Sequence, residues 1–208
     1  MPYPTTGSKT ELQAINQILA SVGQAPVTTL ERTNPDVAIS YETLTQVSRE
    51  VQSEGWAFNR EYSYPFTPDE KGEIPYPKNV LQLDISNDPR YLTKTKYDTV
   101  KRDGKLYDKK HHTYVFNEKL LCDVKWLFDW EDLPIPIQDY IVARSSTIAS
   151  SRLVGDPEQF QLLSQREAFL RAMALEYETQ QGNYNMLHSP RMETNYIGYE
   201  AYQTLQRY

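Results

Sequence analysis

Apolar residues recur every three or four positions in four stretches of the chain, and between the second and third stretch the period shortens to two. The first stretch places Leu12, Ile15, Ile18, Leu19 and Val22 on one side, the pattern of an amphipathic helix. Ser8 is expected to cap it, with Glu11 three residues on completing a capping box. Gly23 closes this helix and Pro26 forbids its continuation. The second stretch carries Val37, Tyr41, Leu44, Val47 and Val51. It opens at Asn34-Pro35, a cap followed by proline at the first helical position, and stops at Gly55. The two predict a helical hairpin.

The third helix begins near Pro134 or Pro136, carries Ile137, Tyr140, Ile141 and Ile148, and ends before Gly155. The fourth opens at Asp156-Pro157-Glu158-Gln159 and runs about 25 residues toward Gly182, a length of about 37 Å at 1.5 Å per residue. Phe160, Leu163, Leu170, Met173, Ala174 and Tyr177 are expected on its buried side.

Between the helical pairs the texture is that of strands. Prolines at 65, 68, 75, 77 and 89 exclude long helices. Trp56 and Phe58 are expected to start an alternating strand. Alternation also marks Val80-Leu81-Gln82-Leu83-Asp84-Ile85, Tyr114-Val115-Phe116 and the run from Asp123 to Phe128. Asp103-Gly104 predicts a hairpin turn, because such turns need positive φ at both central residues. The reading is α+β: an antiparallel four-helix bundle (1–55 and 134–182), an inserted small antiparallel β-domain (56–133) and an extended C-terminal arm (183–208). The arm holds five tyrosines and little periodicity. Fully extended it reaches up to roughly 85 Å, far enough to lie across neighbouring subunits.

Composition narrows the chemistry. The net charge is −6 and the pI about 5.2, against the basic stripe of a dedicated DNA reader. Sixteen tyrosines and a mean hydropathy of −0.67 suit surfaces that are dry in an assembly and wet before it. The single cysteine, Cys122, sits in an apolar run and is expected to be a small core side chain. The opening residues lack the basic and apolar regions of a signal peptide, and no apolar run is long enough to span a membrane, so a soluble chain made in a reducing cytoplasm is expected. The adjacent His111 and His112 point to opposite sides of a strand, and His188 stands alone, so no metal site is expected. Lysines and arginines gather between Lys94 and Lys110, with Lys101, Arg102, Lys105, Lys109 and Lys110 on the predicted hairpin, diluted by aspartates at 98, 103 and 108. They form either a solvated hairpin or a basic edge that faces a partner or a DNA channel.

One stretch invites an enzymatic reading. Trp126-Leu127-Phe128-Asp129-Trp130-Glu131-Asp132 sets carboxylates beside indole rings, as glycosidases do, with Asp129 and Glu131 as the acid pair. Nothing in the spacing frames a cleft between them, and an aromatic core strand ending in an acidic turn is the simpler reading. No phosphate-binding glycine loop or nucleophile motif is present, so no catalytic residue and no cofactor are expected.

The order of several segments resembles the tail tubular protein A family of short-tailed phages. These are the run from Glu11 to Gly23 with Pro26-Val27-Thr28-Thr29-Leu30, then Gln52-Ser53-Glu54-Gly55-Trp56-Ala57-Phe58-Asn59, Tyr140-Ile141-Val142-Ala143, Gly155-Asp156-Pro157-Glu158 and Gly182-Asn183-Tyr184-Asn185-Met186-Leu187. The similarity covers most of the chain, while residues 60–130 match only in strand character. The resemblance implies a dodecameric homo-oligomer ring that joins the portal protein to the tail nozzle (tail tubular protein B) and continues the DNA ejection channel. Tail fibres are a further contact it suggests. It implies a portal-gripping arm, here Tyr184, Asn185, Met186, Leu187, Tyr196, Ile197, Tyr199 and Tyr202, and a β-domain facing the nozzle. Genomic DNA would pass through without specific binding, and the protein would reside in the virion's short tail after assembly in the host bacterial cytoplasm. A tail-associated peptidoglycan or capsule hydrolase is the alternative.

Overall fold

The computed structural model describes residues 9–31, 33–86 and 96–182, and within them the chain is of α+β class. The helices are α1 (Glu11–Ser21), α2 (Pro35–Ser53), α3 (Ile135–Leu153) and α4 (Pro157–Gly182). The strands are β1 (Arg60–Phe66), β2 (Val80–Ile85), β3 (Thr99–Arg102), β4 (Lys105–Asp108) and β5 (Leu120–Trp126). The described residues divide into two compact units, one of residues 9–60, 77–82 and 125–177, the other of 61–76, 83–124 and the end of α4.

In the first unit α3 is the central element, packed by both α1 and α2. It is buried almost all round. Ile137, Tyr140, Ile141 and Val142 supply bulk, while Ala143, Ser145, Ser146, Ala149 and Ser150 let neighbouring backbones come close. Ala14, Ile15, Ile18 and Leu19 of α1 and Val37, Leu44, Val47 and Val51 of α2 complete the core, each buried Val, Leu or Ile contributing about 1.5–3 kcal/mol. Asn34 caps α2 as its residue type predicts, its Oδ1 accepting from the Asp36 amide at 3.0 Å. Gly55 stops α2 with φ +80, and a Cβ there would lie 2.5 Å from the Lys125 side chain.

In this unit three local expectations need correction. The cap of α1 is Thr10 and not Ser8, which lies outside the described residues; Thr10 Oγ1 accepts from the Gln13 amide, and the Gln13 side chain returns to the Thr10 amide. Both boxes satisfy the spacing rule, and the one adjoining the first helical residue, Glu11, prevails. The chain after Gly55 makes a 3₁₀ turn over Ala57–Asn59 before β1 begins, because Asn59 ties the Trp56 amide with its own side chain. On α4, Phe160 and Met173 are exposed rather than buried; Leu163, Leu170 and Tyr177 are half-covered, and only Ala174 of the expected face enters the core. The mutual packing in this unit is therefore that of α1, α2 and α3, with α4 attached along one edge.

The second unit contains the antiparallel hairpin of β3 and β4, in register Arg102↔Lys105 through Thr99↔Asp108. The remaining strands form a sheet in the order β1–β5–β2. Leu120, Cys122 and Val124 are the buried positions that alternate along β5, and Phe66, Ile74, Ile85, Leu106 and Phe116 are buried in the same unit. Tyr114-Val115-Phe116 is not a strand: Val115 is exposed, and the Phe116 amide donates to the Gly72 carbonyl at 2.7 Å. A side chain on Gly72, at φ +79, would collide with Val115.

Candidate functional site

The β3–β4 hairpin gathers all five of the predicted basic residues. Asp103 (φ 52) and Gly104 (φ 71) form its turn, both in the left-handed region that a tight hairpin requires. Arg102 and Lys105 face each other across the ladder, a like-charge pair that costs stability unless each finds another partner. Each does. The Arg102 guanidinium lies 4.0 Å over the Tyr107 ring, and Lys105 pairs with Glu73. Lys101 sits 4.6 Å over the Tyr76 ring, and Lys109 pairs with Asp98 at 2.8 Å.

Beneath the charges, Asp108 is wholly buried and accepts from the amides of Asp98 (3.1 Å) and Lys110 (3.0 Å) and from the His111 ring. Burial raises its carboxyl, but those hydrogen bonds outweigh it and hold the group below the usual carboxylate range. Tyr114 donates to Asp103 at 2.7 Å, and that bond raises its hydroxyl. The hairpin is thus a knob on which Lys105 and Lys109 are paired with carboxylates and Lys101 and Arg102 are held over ring faces. That suits contact with another protein better than a free positive field aimed at DNA.

The remaining candidates fall elsewhere. Tyr184, Asn185, Met186, Leu187, Tyr196, Ile197, Tyr199 and Tyr202 lie outside the described residues, as do Lys94 and His188. Asp129 and Glu131 stand exposed on either side of Trp130, whose indole is a core plug donating to the Lys9 carbonyl at 2.6 Å. That geometry is an anchored turn, and it supports no carbohydrate-gripping reading of the motif. Cys122 is fully buried, its thiol pushed up to about 12 by burial, with Asp123 and Asp84 adding to the effect. Among the described residues no three His, Cys, Asp or Glu side chains come together as a metal site, and no helix is long and apolar enough to cross a membrane.

What the sequence reading did not find is the outer side of α4. Leu162 (68% exposed), Phe169 (64%) and Met173 (45%) form a bare apolar stripe there. The signal was present: apolar residues occur on every side of this helix, more than one neighbour in a single copy covers.

A helical core, a clamped polar knob and an exposed apolar helix face are what the described residues present, with no catalytic or metal-binding cluster among them. The chain belongs to the tail tubular protein family, whose model, described as tail tubular protein, matches residues 12–184. It is also 30% identical over 125 residues, 60% of this chain, to the tail tubular protein A of Klebsiella phage KP34, and the match spans 62% of that relative's length. The chain is therefore a structural component of a bacteriophage tail.

Proposed function

We propose that this protein is the adaptor ring between the portal and the tail nozzle of a short-tailed phage, a dodecamer that continues the DNA ejection channel. The match to the tail tubular protein family over residues 12–184 is the observation that carries this reading. The helical parts (1–55 and 134–182) form the ring body, in which neighbouring copies complete the four-helix packing that one copy leaves open at α4. The inserted block (56–133) is the docking domain. Its hairpin carries Lys110 beside Lys101, Arg102, Lys105 and Lys109, the last four held in place by rings and carboxylates, and faces the nozzle protein rather than DNA. Residues 183–208 are the portal-binding arm. Their tyrosines favour an aromatic contact that gains from repetition round the ring. Assembly takes place in the host cytoplasm, and the ring leaves in the virion tail.

The test is electron microscopy of complexes with a short-tailed-phage portal, using the full chain and a truncation after Gly182. A ring seated on the portal with the full chain and lost with the truncation is the expected result. Failure of the full chain to bind any such portal would overturn the adaptor reading.

A further inference from the structure

Two surfaces of the helical unit are complementary in both apolar pattern and charge. On α4, Glu158, Leu162, Arg166, Phe169 and Met173 fall within about 80° round the helix at 3.6 residues per turn. All five are exposed. Arg171 and Ala174, which hold α4 to its own copy through the Tyr140 hydroxyl (2.8 Å) and the core, lie on other sides of the helix. On α2, Pro35, Ile39, Glu42, Gln46 and Arg49 fall within about 80° in the same way, Ile39 half-buried and the other four exposed, and an open groove runs along its C-terminal half beside Tyr41, Thr45 and Ser53. Glu42, Arg49, Glu158 and Arg166 make no ion pair among the described residues, unlike their neighbours Glu50 and Glu54, which pair with Arg144 and Arg171.

The two faces match in one register only when the helices run antiparallel. Glu42 then meets Arg166 and Arg49 meets Glu158. The separation along the axis is about 10.5 Å for the first helix and about 12 Å for the second, at 1.5 Å per residue. The same register sets Gln46 against Leu162, Ile39 against Phe169 and Pro35 against Met173, so apolar faces apolar where the charges end. A twofold pairing of α4 with α4 through Leu162 and Phe169 would instead bring Arg166 against its own copy.

We infer that the contact between adjacent copies of this chain is α4 of one on α2 of the next, in the register Glu42–Arg166 and Ile39–Phe169. The inference rests on the ring proposed above. Because the two surfaces differ and every copy carries both, the contact is head-to-tail, the kind that closes rings.

The test uses two full-length chains of different tag length, one Ile39→Cys and one Phe169→Cys, co-assembled on the portal and treated with a short bifunctional maleimide. The native thiol at Cys122 is buried and does not compete. Cross-linking of unlike chains in assembled rings is the expected result. Rings that form without that cross-link, or in which Phe169→Cys chains link to one another, would overturn the inference and leave the adaptor reading intact. If unmodified chains form no ring at all, both fall together. In parallel, Arg166→Glu is expected to weaken ring formation roughly tenfold, as a rim charge reversal does, and Glu42→Arg on the same chain to restore it. Normal assembly of the single variant, or no recovery in the double, would count against the register.

Discussion

Gln52 closes a two-bond amide pair with the backbone of Phe128: its Oε1 accepts from the Phe128 amide at 2.8 Å and its Nε2 donates to the Phe128 carbonyl at 3.1 Å. A side chain near the end of α2 thereby does what a neighbouring strand would do for the chain leaving β5. Gln52 is fully buried, so neither backbone group has water in reserve on that side. Gln52→Leu keeps the volume and deletes both bonds. It is expected to cost about 2–4 kcal/mol in urea unfolding, since two backbone groups lose their partner at once. A loss under about 0.5 kcal/mol would show that the pair adds nothing beyond packing.

Asn59 holds the next turn by the same logic, and here charge rather than volume is the sensitive variable. Its Oδ1 accepts from the Trp56 amide, and its Nδ2 donates to the carbonyls of Gln52 (2.8 Å) and Trp126 (2.9 Å), the Asn59 side chain itself being fully buried. Asn59→Asp replaces the donor by an oxygen facing two carbonyl oxygens. The new carboxyl is expected to stay protonated in the fold, with a pKa raised above its unfolded value. The variant is then nearest to wild type in acid and loses stability as pH rises past the unfolded carboxylate range. Thermal melts at pH 4 and pH 8 read this directly, and equal losses at both would contradict it.

The legible parts of this fold are those in which a local rule and its surroundings agree. Asn34-Pro35 starts α2, Gly55 ends it at φ +80, and Asp103-Gly104 turns the hairpin, because each of those backbone states is chosen by the residues that occupy it. The failures arise where two local patterns compete or where the surroundings of a face decide. Ser8 and Thr10 both satisfy a cap pattern, and only the helix start selects between them. Phe58 looks like strand until Asn59 pulls its turn shut. Phe160 and Met173 read as core because periodicity reports that a face is apolar without reporting what covers it. The same limit applies to the site. The five basic residues were legible as one hairpin, but Glu73, Asp98, Tyr76 and Tyr107, which clamp four of them, come from its flanks and opposite strand.

Cys122 provides a probe of opening in the second unit. With its thiol pushed up to about 12, roughly one molecule in ten thousand carries the reactive thiolate at pH 8, and the side chain is buried as well. A disulfide-exchange reagent is expected to label the native chain at least a hundredfold more slowly than the chain in denaturant, roughly in proportion to the thiolate deficit. Labelling of native protein at the denatured rate would place the thiol outside the core.

Asp108 makes the hairpin sensitive to acid. Its carboxyl sits below the usual range in the fold because the hydrogen bonds it accepts from the Asp98 and Lys110 amides and from His111 prevail over burial. A group depressed in the folded state contributes stability above its unfolded pKa and loses it as pH falls toward the folded value. Amide exchange at Lys109 and Asp108, which donate to the carbonyls of Asp98 and Thr113, is therefore expected to quicken relative to the rest of the unit as pH drops below the ordinary carboxylate range. Asp108→Asn keeps one acceptor oxygen and removes the titration. Protection in that variant should be lower at neutral pH and flat across the acid range, and a wild-type profile that is equally flat would mean that the buried carboxylate does not govern the hairpin.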